Sequence, residues 1–117
     1  MAQNFKRYAE RNIGANAVDI PNGANFTTND AIVGINLGNR AATAIQASVY
    51  IILASGNDTL ANRNYLVRDA PIPSGGALQL LDGGAKVVVQ SADRLYVISD
   101  TANSLDAWVS VVADISD

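Results

Sequence analysis

The chain contains no cysteine and no histidine. The first absence excludes disulfides, a thiolate nucleophile and thiolate metal ligands. The second removes the commonest general base and the commonest metal ligand. Nucleophilic catalysis would then have to rest on a Ser–Lys pair, and Lys6 and Lys86 sit in no recognisable motif with a serine. Charge is scarce too: 16% of the residues are Asp, Glu, Lys or Arg, where about 25% is usual. The net charge of −3 is opposite in sign to the footprint of a nucleic-acid binder. Long apolar runs are missing. The longest, Val49 to Ala54, falls far short of the ~20 residues a membrane helix needs. The N-terminus has no apolar core of the kind a signal peptide carries. Neither nucleic acid nor membrane is expected as a partner, and no targeting segment is expected.

The acidic residues Asp58, Asp69, Asp82, Asp93, Asp100 and Asp106 are spread singly, mostly in predicted turns. Their expected role is to cap turns, not to form the carboxylate pair of a glycosidase. Nor do they show the repeated acidic spacing of a dedicated calcium loop. Gly75-Gly76 and Gly83-Gly84 lack the lysine and the following helix of a phosphate cradle and read as turns. No catalytic residue, no metal site, no cofactor and no enzymatic activity are expected.

What is present is a period of two. Ala31, Val33, Ile35 and Leu37 alternate with Ile32, Gly34, Asn36 and Gly38, and Ile45, Ala47, Val49, Ile51 and Leu53 alternate with Gln46, Ser48, Tyr50 and Ile52. Further strands are predicted over residues 5–13, 17–20, 65–68, 77–81, 86–90, 94–99 and 105–115. Asp82-Gly83-Gly84 and Ser91-Ala92-Asp93 are short enough for hairpins. Pro71-Ile72-Pro73 cannot supply two ladder donors and belongs to an edge or a crossover. Short strands at roughly ten-residue spacing predict an all-β chain, a single β-sandwich domain over residues 1–117, with the jelly roll among its possible topologies.

A two-layer sandwich needs one apolar face per strand, yet several strands have two. If Leu105, Ala107, Val109, Val111, Ala113 and Ile115 point inward, Trp108 and Val112 point out. Tyr96 and Ile98 lie opposite Leu95 and Val97, Tyr50 and Ile52 oppose the core set of their strand, and Ile32 does so in its own. A loop or crossing strand within the subunit covers such residues in one reading. In the other they form an oligomer interface, which suits a charge-poor surface, and a contiguous patch joining Trp108 and Val112 to Tyr96 and Ile98 is the sharpest form of that expectation.

The run from Arg68 to Leu78 (RDAPIPSGGAL), the run from Asp82 to Gln90 (DGGAKVVVQ) and the Val-rich ending after Ser104-Leu105-Asp106 resemble short virion structural proteins of tailed bacteriophages, of the capsid cement or decoration kind. Asn4-Phe5-Lys6-Arg7-Tyr8 and the stretch from Val33 to Asn39 fit the same likeness. Ser91-Ala92-Asp93 departs from it, because a glycine is expected before the aspartate. The resemblance implies a β-sandwich subunit that oligomerises, often as a homotrimer, on the virion surface and bridges major capsid protein subunits. It extends to neck, tail and fibre proteins, where receptor or glycan binding is the alternative. The candidate interface residues are Trp108, Tyr96, Ile98, Tyr50 and Val112. To these are added Phe5, Lys6, Arg7, Tyr8 and Arg11 of the basic, aromatic stretch 1–12, read as a contacting arm or an edge strand.

Overall fold

A computed structural model describes residues 4–20, 26–54, 56–81 and 86–113. Its strands are β1 (Asn4–Ile13), β2 (Val18–Ile20), β3 (Asp30–Asn39), β4 (Ile45–Ile52), β5 (Asn64–Ile72), β6 (Ala77–Gln79), β7 (Val87–Val89), β8 (Arg94–Ser99) and β9 (Leu105–Ala113), with one 3-10 turn at Leu60–Asn62. They form two antiparallel sheets packed as a β-sandwich. The first runs β1-β9-β3-β6, with β7 also paired to β3; the second runs β2-β8-β4-β5. β6 pairs with the end of β3 around Leu37, and β7 with its start around Ala31. Taken as two halves of one strand, they make this the eight-stranded order of a jelly roll.

That topology corrects two expectations. Ser91-Ala92-Asp93 is not a hairpin, because β7 lies in the first sheet and β8 in the second. Asp82-Gly83-Gly84 lies outside the described residues, but β6 and β7 on either side of it pair with β3 and not with each other. Turn length limits only the separation of two strand ends. Three residues reach roughly 10 Å, which is also the spacing between packed sheets. The Ser91 turn is held for this crossing: Ala92 takes φ +77°, its N–H donates to the Phe26 carbonyl, and the Asp93 carboxylate accepts from Gln90 N–H at 2.9 Å and Ala54 N–H at 3.2 Å. Between β4 and β5, neighbours in chain and sheet alike, runs the longest polar loop.

The inner faces follow the alternation closely. Leu105, Ala107, Val109, Val111 and Ala113 of β9 are buried, as are Leu95 and Val97 of β8 and Ile45, Ala47, Val49 and Ile51 of β4. Ile115 falls outside the described residues. β3 departs from the pattern. A bulge between Ile32 and Gly34 places an extra residue on one strand, so Ile32 turns into the core and Val33 is only half-buried. Pro71 lies in β5, an edge strand, as its missing donor requires. Asn39 fastens two crossovers together. Its amide nitrogen is within 2.9, 3.0 and 3.1 Å of the Thr43, Ile72 and Pro73 carbonyls, and its oxygen accepts from Ala41 N–H at 2.8 Å.

Candidate assembly surfaces

The two outer faces of the sandwich present quite different surfaces. On the second sheet, Tyr50 points away from the core as alternation demands, yet it is fully buried. The β4–β5 loop folds over it. Tyr50 donates its hydroxyl hydrogen to Asp58 Oδ2 at 2.8 Å, and the Arg63 guanidinium lies 4.4 Å from the ring centroid. Arg63 also donates to Asp58 Oδ1 at 2.9 Å and to the Tyr65 hydroxyl at 3.1 Å. Tyr96 stacks on Tyr50 at 5.2 Å and Tyr65 tilts against it at 5.5 Å. Arg94 bonds both the Tyr96 hydroxyl and the Gly56 carbonyl. Gly56 has to be glycine, because a Cβ there would stand 2.9 Å from Ile52 Cγ2; the loop backbone itself covers Ile52.

This cluster removes Tyr50 from the candidate interface: its cover belongs to the same subunit. Burial, followed by the hydrogen bond to Asp58 and that carboxylate's charge, raises the Tyr50 phenol above its ordinary value. Arg63 is held more firmly protonated than usual, chiefly by its bond to Tyr65, with burial acting the other way and Asp58 adding to the rise. Tyr96 and Ile98 remain half-buried on this face.

Trp108 and Val112 lie on the other side of the molecule. β8 and β9 belong to different sheets, so the expected patch joining Trp108 and Val112 to Tyr96 and Ile98 does not form. What the first sheet offers is read from its register, since directly opposed residues of paired strands share a face. One row crosses four strands as Phe5, Val112, Ala31 and Val88. A second runs Ala9, Trp108, Asn36 and Gln79. Between them lie Arg7, Ser110 and Gly34. Phe5 is 68% exposed, Val88 62% and Trp108 48%. The Arg7 guanidinium sits 5.5 Å from the indole centroid. Hollows flank the indole, one of about 650 Å³ beside Arg11, Asn36 and Gly38 and one of about 220 Å³ over Gly34, Gln79 and Ser110.

Val88 and the Gly34–Gly38 pair were not singled out from the sequence. Their signal was available: two glycines four apart fall on one face of a strand otherwise rich in Val, Ile and Leu, and glycine inside a strand weakens it. A Cβ at Gly38 would meet nothing within 4 Å, and one at Gly34 only ordinary contact with Ser110. The chain's own packing demands neither.

The stretch 1–12 is an edge strand over its described part. Phe5 and Arg7 join the outer face, and Arg11 lines the larger hollow there. Lys6 and Tyr8 oppose Val111 and Val109 on the inner face. Tyr8 packs edge-on against Phe26, ring centroids 6.1 Å apart, and is half-buried. Lys6, exposed on the inward side of an edge strand, is a charge that discourages edge-to-edge pairing. The carboxylates serve locally: Asp100 accepts from Gln46 N–H, and Asp106 pairs with Arg40 at 3.1 Å and accepts from Asn12 N–H. Asp82 lies outside the described residues. Among the described residues, no three His, Cys, Asp or Glu side chains gather as a metal group would require.

No protein-family model and no curated protein matches the chain. Among solved structures, it is similar to a chain from the structure of infectious bursal disease virus, Gx strain. The TM-score is 0.52 and the identity 12%, over 97% of this chain and 34% of that one. The protein thus spans about a third of its neighbour's length, and the likeness is one of fold.

Proposed function

We propose that the protein is a virion structural component: a capsid cement, or decoration, protein that binds the assembled shell as an oligomer and works by binding, without catalysis. The observation that carries this reading is the outer face of the first sheet. Leu53 and Leu60 are also exposed, in the β4–β5 loop, whereas here Phe5, Val88 and Trp108 stand in the open together on one face of a sheet. Exposed apolar surface of this kind marks interaction sites, and Trp and Arg are the residues that most often dominate an interface. The fold shared with a chain of a virus structure and the resemblance to phage decoration proteins support a virion as the setting. In mechanism, a subunit that binds only the assembled lattice stabilises it by mass action. Particle imaging tests the reading. Hundreds of copies on the shell are expected, whereas about a dozen copies at a neck, tail or fibre would replace it with the alternative. Trp108→Glu should abolish attachment.

A further inference from the structure

The outer face of the first sheet is complementary to itself, and we propose that its occupant is a second copy of this chain, packed face to face about a two-fold axis that runs parallel to the strands between β9 and β3. The inference rests on the reading that this face is used in assembly, and it deepens that reading by naming the partner. The midline of the order β1-β9-β3-β6 falls between β9 and β3. Rotation about an axis there keeps every residue at its own height and reverses each row. The row Phe5, Val112, Ala31, Val88 then lies on its own reverse, so Phe5 meets Val88 of the second copy and Val112 meets its Ala31. In the other row, Trp108 meets Asn36 of the second copy, with Gly34 and Gly38 on either side. Each large side chain faces a smaller one, and the indole arrives where two absent Cβ atoms leave room. Such mutual fit is what an isologous interface requires.

Area agrees with this occupant. Arg7 on β1 falls over the β6–β7 side of the second copy, away from that copy's own Arg7 but on the side that carries Lys86. Asp106, already paired with Arg40, falls over Gly38. Four strands about 4.8 Å apart and nine residues of β9 at about 3.4 Å each give a face of roughly 19 by 30 Å. Projected, that is about 570 Å². Accessible area exceeds projection on a face studded with side chains, which brings it near the ~800 Å² per partner of a stable interface. The phage resemblance implies trimers; this face supports a pair.

Sedimentation and light scattering at micromolar concentration should find a dimer. Trp108→Glu should raise its dissociation constant at least ~30-fold, as loss of a hot-spot residue does. Gly38→Val is the sharper variant, since the subunit itself has room for the side chain. It should leave the melting temperature of the separated subunit unlowered and weaken pairing to a similar degree. A Phe5→Cys, Val88→Cys double variant should oxidise to a covalent dimer. The two sites are three strand spacings apart within a subunit, about 14 Å, too far for an internal bridge. A monomeric wild type, a Gly38→Val dimer of unchanged affinity, or efficient crosslinking by Phe5→Cys alone would each overturn the pairing. A wild-type monomer that still labels shells overturns the pairing and keeps the virion role; a dimer that labels no particle supports the pairing and overturns that role.

Discussion

Replacing Tyr50 with Phe tests the Arg63 clasp in two ways at once. At neutral pH the change removes one hydroxyl and its 2.8 Å bond to Asp58, while the ring, its two tyrosine neighbours and the guanidinium above it stay in place. Hydrogen bonds to charged groups contribute about 1.5–3 kcal/mol. Asp58 is exposed and keeps Arg63 as a partner, so the expected cost falls below that range, at about 1 kcal/mol. For 117 residues the unfolding entropy is about 250 cal/mol/K, so the loss corresponds to about 4 °C in melting temperature. Alkaline pH reverses the order. The native phenol is raised above its ordinary value, by burial first and then by Asp58, whereas the unfolded phenol ionises near pH 10. A raised native value means the stabilisation is intact below pH 10 and is lost as pH climbs toward the native value. The slope is about 1.4 kcal/mol per pH unit. Phenylalanine carries no such dependence, and the remaining tyrosines are common to both proteins. Thermal melts from pH 7 to 11.5 should therefore show the curves crossing near pH 11, with the variant more stable beyond. A constant gap across the range would refute the burial of this phenol and its bond to Asp58.

Ala92 holds φ +77°, a region that costs an L-residue roughly 1–2 kcal/mol. Glycine gives back part of that through its freer unfolded chain, so Ala92→Gly should raise the melting temperature by about 2–4 °C; a fall would mean that the alanine methyl packs usefully. Asn39→Ala unties the two crossovers and removes the amide partner of the buried Ile72 carbonyl, at a cost of about 1–3 kcal/mol, readable as a denaturant midpoint lowered at constant m-value. Changing Lys6, Arg7 and Arg11 to Gln should slow attachment to particles at low salt more than at high salt, because rim charges act mainly on association. Attachment equal at both salts would make the basic edge a solvated surface only.

Strand content was legible because burial on one side imposes period two, and residues 94–99 were placed to the residue. Which sheet each strand joins was not. The Ser91 and Asp100 turns have hairpin lengths, and nothing local distinguishes a turn that stays in a sheet from one that passes to the other. The glycine expected before Asp93 had the right physics, since that position does adopt positive φ; alanine occupies it at a cost the turn's hydrogen bonds to Phe26 and Gln90 offset. The bulge at Val33 was hidden for a similar reason. Five apolar or small residues in succession, from Ala31 to Ile35, allow either phase, and only pairing with β7 and β9 selects the one that buries Ile32.

Tyr50 and Trp108 show where strand alternation stops being informative. Both are aromatic residues on the outward side of a strand whose other side is the core, and the same periodicity assigns both to an outer face. Their fates differ because of residues that are distant in pattern though near in space. Tyr50 is followed by eleven residues of loop before the chain returns in β5, enough to fold back across the face. That loop carries a carboxylate for the phenol and an arginine for the ring, and Gly56 lets its backbone pass over Ile52. Trp108 lies on β9 between β1 and β3, with Arg7 reaching its ring from one side and Asn36 with its two flanking glycines on the other; among the described residues no comparable loop closes over it. Asp58 and Arg63 were therefore the readable signal: a spaced opposite pair in the polar segment directly after an aromatic outward position. Where such a pair exists, the chain covers its own aromatic residue. Around Trp108 small residues stand instead, and in the proposed pairing the second copy supplies the cover.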